Sequence, residues 1–262
     1  MIRNIVTFLL LLVVVTCGCG KKKEVIDDDL TKIIKRDKLI VGVRQDTPPF
    51  GFRNERDELV GYDIDLVKIF AKSLLGDEDK LEFVPVTASD RIRILNSQQV
   101  DFLVATMSIT PQRQHILYFS RPYYVAGQAI LVKNSSSATS INDFEGKNLI
   151  IVFGSTSERD IRTNVPGVKL LGYKTYSEAI KALKDGKAEG IVADDTILLG
   201  YAYNDKSLKL LPKRYSKEPY AVAFRQETDS TILIEKINYI IGNLYSSGQL
   251  NRLQEKWKVN NG

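Results

Sequence analysis

One histidine and two cysteines stand in a chain of 262 residues, and their positions exclude more chemistry than they allow. His115 is the sole imidazole, so a histidine-rich metal site has no ligands to draw on and most Ser-His-Asp arrangements are ruled out. Cys17 and Cys19 both fall within the first nineteen residues, leaving the body without an internal disulfide or a cysteine metal cluster. What remains is charge. Arg44 follows the apolar run Leu39–Val43, Asp194 closes the run Gly190–Ala193, and ligands of open α/β sheets bind outside the carboxyl ends of strands. Arg91 sits in the turn Ala88-Ser89-Asp90-Arg91. Thr110-Pro111 reads as an N-cap and first-position pair, placing Arg113 in the first turn of a helix. Such groups bind a charged ligand by paired ions and need no bond making. Asp63 and Asp65 open a helical pattern, where carboxylates favour the helix dipole, and are read as structural; His115 reads as a solvated helix residue.

Alternating strands and helices must position these side chains. Strands are expected at 39–43, 81–86 and 102–105, with helices over Tyr62–Leu75 and Ser89–Leu95 between them. A second cycle follows, with strands at 149–152, 168–171 and 190–193. A helix lies over Thr156–Arg162, and another opens at the capping box Thr175-Tyr176-Ser177-Glu178 and stops at Asp185-Gly186. The alternation argues for an α/β fold with mostly parallel sheets in two similar lobes. The runs Ala129–Val132 and Ala221–Phe224 are the natural crossing points between lobes, and 232–244 and 249–257 read as two closing helices.

The N-terminus reads differently. Arg3 precedes an apolar run from Ile5 to Val15, too short for a membrane span of about 20 residues and suited to a secretory signal. Thr16-Cys17-Gly18-Cys19 resembles a bacterial lipoprotein cleavage site, with Cys19 the residue to be lipid-modified. The expected division is a signal over 1–18 and a polar tether over 19–37. A first lobe over 38–128 and a second over 129–217 follow, and residues 218–262 return to the first.

The ordered set Gly61-Tyr62-Asp63-Ile64-Asp65-Leu66, Val100-Asp101, Met107–Arg113, Phe119–Tyr124, Asp194-Asp195 and Glu218-Pro219-Tyr220 runs through nearly the whole body. It resembles the extracellular solute-binding proteins of family 3, the polar amino-acid-binding proteins of ABC importers. The resemblance implies a type II periplasmic-binding-protein clamshell, each lobe a mostly parallel sheet flanked by helices, joined by two crossing hinge strands. Its partners would be an amino-acid ligand and a membrane permease, with no cofactor, no metal and no catalysis, and a monomeric chain held to the membrane lipid through Cys19.

A zwitterion buried between lobes must have both charges paired. The resemblance points to Arg113 for the α-carboxylate, helped by backbone N–H groups at Ser108 and Thr156, and to Asp194 for the α-ammonium. The Ser108 hydroxyl and the Thr106 carbonyl assist. Many family members carry glycine at the place of Thr106, and branches that bind acidic amino acids commonly carry threonine. Arg91 and Tyr176 align with the aspartate- and glutamate-binding branch, and Arg44 adds a second cation, so an acidic amino acid is the expected ligand. The competing readings are ion pairs for the two arginines and core packing for Tyr176. Phe50 is expected as a pocket wall, with core packing as its alternative.

Glutamine or another polar amino acid, and a cyclohexadienyl-dehydratase-like enzyme on the same fold, stand as alternatives. A receptor ectodomain wants a membrane span after Trp257, and none is read there. Nucleic-acid binding finds little support, because the net charge of +5 is spread over 37 basic and 32 acidic residues and the densest basic run is Lys21 to Lys23.

Overall fold

The computed structural model describes residues 28–203, 205–226 and 228–259, so the signal segment and Cys19 lie outside the described residues. Two five-stranded sheets organise the chain. The first has the spatial order Leu81–Pro85, Leu39–Val43, Phe102–Val104, Ala223–Arg225 and Leu117–Phe119. The second runs Lys169–Tyr173, Asn148–Val152, Gly190–Asp194, Gln128–Lys133 and Leu208–Leu210. In each, three strands at one edge are parallel and the last two pairings are antiparallel. The fourth strand of each sheet is the one entered from the other lobe, and arriving from there reverses its direction.

The crossings are made by Tyr124–Ala126 and Glu218–Tyr220, which pair antiparallel with Tyr220 opposite Tyr124. This corrects the expected crossing points. Ala129–Val132 lies inside the second sheet, and Ala223 pairs within the first. Both runs are apolar because a strand inside a covered sheet is buried on both faces, so periodicity could not separate a hinge strand from its continuation.

Helices cover the sheets with faces that the sequence pattern dictates. Ile64, Val67, Phe70 and Ala71 on Tyr62–Leu75 are buried in one core with Leu233, Ile237, Ile241 and Leu250 from the two C-terminal helices. The second lobe closes over Ala179, Leu183, Ile191 and Leu198 on one side of its sheet and over Phe144, Ile151, Ile161 and Val192 on the other. The Thr175 capping box is present, with its side chain accepting from Glu178 N and Glu178 reaching back.

The tether expected over 19–37 ends earlier. Asp29–Arg36 is a helix capped by Asp28, and Ile33 is fully buried in the first lobe's core. Asp29 accepts hydrogen bonds from Arg225 Nη2 at 3.0 Å and Ser230 Oγ at 2.7 Å. Asp28 and Asp29, expected in the tether, cap and open a helix.

Gly61, which opens Tyr62–Leu75, has φ 138° and leaves no room for a side chain: a Cβ would stand 1.9 Å from Phe50 O. Any L-residue here is strained in its backbone and overpacked against a main-chain oxygen. Gly61→Ala should therefore lower unfolding free energy by at least about 2 kcal/mol in urea titrations; an unchanged midpoint would contradict this placement.

Candidate functional site

Strand ends deliver charged groups from both lobes to one cleft. From the first lobe come Arg44, one residue past Leu39–Val43, Thr106 and Ser108 past Phe102–Val104, Arg91 at the start of Arg91–Asn96, and Arg113 in the short helix Pro111–Gln114. From the second come Ser155 and Thr156 before Ser157–Asn164, Tyr176 at the start of Tyr176–Lys184, and Asp194 at the end of Gly190–Asp194. These residues and Ala88 line a small cavity of about 10 Å³, the scale of a single water-sized sphere.

The capping reading at Thr110 holds, its side chain accepting from Arg113 N at 3.2 Å with Pro111 at the first position. Arg113 then spans the lobes. Its Nη1 donates to Ser108 O at 2.9 Å and its Nη2 donates to Gly154 O, in the second lobe, at 2.9 Å. Arg91 is 2 % exposed and donates to Ala105 O at 2.5 Å, to Thr106 O at 3.3 Å and across the cleft to Gly154 O at 3.4 Å. Its Nε is buried without a partner. Burial, reinforced by Arg113 and Arg44, pushes the Arg91 guanidinium well below its ordinary value. Gly154 permits the close approach: it has φ 80°, and a Cβ there would lie 2.3 Å from Ala88 O.

Asp194 is held by Gln128 Nε2 at 2.5 Å and by a short bond from the Tyr220 hydroxyl. Gln128 also donates to Thr156 Oγ1 at 3.1 Å, and Thr156 Oγ1 donates to Glu218 Oε2 at 2.9 Å. Asp194 is thus tied through a run of buried hydrogen bonds to the crossing strand that carries Glu218 and Tyr220. Burial, with Glu218 close by, raises the Asp194 carboxyl to about 7. Burial also raises Glu218.

Thr106 adopts φ 47°, the left-handed region that glycine enters without strain. Its N–H donates to Asp63 Oδ2 at 3.1 Å and its hydroxyl to Ala105 O at 2.8 Å. Asp63 is therefore more than a helix-start charge: it is fully buried behind the cleft floor, and burial lifts its carboxyl to about 7.

The expected cation at Arg44 comes with its own anion. Asp46 Oδ1 accepts from Arg44 Nε at 3.1 Å and Nη2 at 2.6 Å, so the pair is internal, with Arg44 1 % exposed, rather than at the surface. Tyr176 is buried in the cleft wall with its ring 5.6 Å from the Arg44 guanidinium carbon. Phe50 does not reach the cavity. It is fully buried, edge-on to Tyr62, Tyr124 and Tyr220, and supports the ring whose hydroxyl holds Asp194. Asp46, Gln128 and Gly154 escaped the sequence reading; Glu218 and Tyr220 were visible in the Glu218-Pro219-Tyr220 motif without a role.

The profile of the bacterial extracellular solute-binding proteins, family 3, matches residues 39–260. The chain belongs to this family, the polar amino-acid-binding proteins of ABC importers. This family 3 protein is 36% identical over 254 residues to the ABC transporter glutamine-binding protein of Bacillus subtilis, covering 94% of this chain and 92% of the other. It is 41% identical over 201 residues to the glutamine-binding protein of Geobacillus stearothermophilus, 76% and 77% of the two chains. The structure of an ancestral arginine-binding protein bound to glutamine superposes with TM-score 0.78 at 38% identity, covering 85% of this chain and 98% of that one. The type II periplasmic-binding-protein fold follows from such neighbours and from the two sheet-based lobes. No described helix is long and apolar enough to cross a membrane.

Both Asp63 and Asp194 take up protons near pH 7 when folded, against an ordinary carboxylate value near 4. The folded state then binds more protons than the unfolded state between about pH 4 and 7, so these groups lower stability progressively as pH rises across that range, and the loss is complete above about 7. Melting temperature of the ligand-free protein should rise on going from pH 8 to 5. Asp63→Asn and Asp194→Asn should each flatten that rise in calorimetry, and an unaltered slope in both would contradict the assignment.

Proposed function

We propose that this binding protein of an amino-acid ABC importer captures a polar amino acid with an uncharged amide side chain, glutamine before others, between its two lobes. The observation that carries the reading is the Arg44–Asp46 pair: one of the two cations that would recognise an acidic side chain is already neutralised inside the wall. The glutamine-binding proteins of Bacillus subtilis and Geobacillus stearothermophilus support the same direction. An acidic amino acid is the second reading, favoured by the partnerless Nε of Arg91.

In this mechanism Arg113 grips the α-carboxylate, exchanging its bond to Gly154 O for the ligand, while N–H groups at Ser108 and Thr156 complete the cradle. Asp194 takes the α-ammonium, with Ser108 and Thr106 beside it. The side chain lies toward Arg91, Tyr176 and the Arg44–Asp46 pair. Because Arg113 and Asp194 come from different lobes, a zwitterion touching both makes contacts only a closed arrangement supplies, and that difference drives closure. Micromolar binding needs only about −8 kcal/mol. The role involves no bond making, and the closed form is what a permease would engage. Cys19 is read as the lipid attachment that keeps a monomeric chain at the outer face of the membrane.

Calorimetry against all twenty amino acids tests the reading: glutamine should bind most tightly. Arg113→Met and Asp194→Asn should each lose at least about tenfold, since a charge-assisted bond contributes about 1.5–3 kcal/mol. Retained affinity in both, or preference for a basic ligand, would overturn the pairing. Cys19→Ser should release the protein from membranes into the soluble fraction during expression; continued membrane association would refute the anchor.

A further inference from the structure

Asp46 does more than sit beside Arg44. Its two carboxylate oxygens face different lobes: Oδ1 takes Nε and Nη2 of Arg44, while Oδ2 accepts from Tyr176 N, at the start of a second-lobe helix, at 3.0 Å. Its main-chain oxygen accepts from the Tyr201 hydroxyl, also of the second lobe, at 2.8 Å. One residue therefore neutralises a guanidinium that is 1 % exposed and ties the two lobes together beside the cavity.

We propose that Asp46 is the specificity-determining residue of the cleft, setting the charge of the side-chain pocket and rejecting acidic ligands, with its cross-lobe bonds making that charge part of the closed state. The inference rests on the amide-ligand reading above. Arg44 and Arg91 act on each other electrostatically across the cavity, so an uncompensated Arg44 would turn the pocket into a two-cation site. With Asp46 present, an incoming carboxylate meets a guanidinium whose hydrogen-bonding edge is occupied and a carboxylate of like charge behind it. A carboxamide meets no such repulsion. Rejection by a like charge built into the wall is how a site separates near-isosteric ligands such as glutamine and glutamate. Tyr201 bonds the main chain of Asp46 and not its carboxylate, so closure and charge can be changed separately.

The test is the ratio of glutamine to glutamate affinity, measured by calorimetry on the wild-type protein and three variants. Asp46→Asn keeps an acceptor for Tyr176 N while removing the charge, and should shift the ratio toward glutamate by at least tenfold. Glutamate should also raise its melting temperature more than glutamine does. Arg44→Met, which leaves the Asp46 charge unopposed, should shift the ratio toward glutamine by at least tenfold and keeps the proposal testable if Asp46→Asn does not fold. Tyr201→Phe should weaken both ligands by the same factor, about fivefold for one neutral hydrogen bond, with the ratio unchanged. A wild type that prefers glutamate or another charged amino acid overturns this inference together with the amide reading. A wild type that prefers glutamine, with ratios unmoved in Asp46→Asn and Arg44→Met, overturns this inference alone.

Discussion

Three guanidinium groups share one water-poor cleft, and each needs an acceptor that a protein interior seldom offers. Burying such a charge unpaired would cost several kcal/mol. Two solutions coexist. Arg44 receives a carboxylate from Asp46, two residues along. Arg91 and Arg113 receive main-chain carbonyls at strand ends, and the oxygen they share, Gly154 O, belongs to the opposite lobe. Compensation of these charges therefore depends on how the lobes stand to each other. In the proposed binding mode, parting the lobes would hand the cations to water, and a ligand carboxylate would replace the carbonyl they lose. Binding would then be an exchange of acceptors, with closure as its geometric condition.

The architecture makes that exchange possible. Both sheets have the same pattern of strands, three parallel, then one reversed, then one running with the first three, so the carboxyl ends of both sets of parallel strands open onto one cleft. The antiparallel pair Tyr124–Ala126 and Glu218–Tyr220 serves as hinge and as part of the site at once. Tyr220 holds Asp194, while Glu218 joins it through Thr156 and Gln128. A rotation of the hinge and a change in the hydrogen bonding of Asp194 are thus mechanically linked, and the raised carboxyl there registers how dry that junction is.

Local signals were legible wherever a feature is completed within a few residues. The Thr175–Glu178 capping box, the Thr110-Pro111 start that aims Arg113, and Asp194 at its strand end all follow from neighbours in the chain. Misreadings arose where the deciding contact is distant. Asp29 was read into the tether because Arg225 and Ser230, which hold it in place, lie about two hundred residues away. Phe50 passed for a pocket wall because nothing in the sequence shows three tyrosines closing around it.

Arg44 and Asp46 mark the boundary most clearly. Sequence alone determined the alternation that makes two α/β lobes, the family, and the charged residue types that meet in the cleft, because propensity, capping and motif order are properties of short segments. It also placed a cation and an anion two residues apart. Only the tertiary structure decided that the two face each other in the dark of the cleft, since their pairing depends on a strand ending at residue 43 and a second-lobe helix starting at residue 176 to hold the far oxygen. Charge is written in the chain; whether a charge is free to meet a ligand is settled by what folds against it.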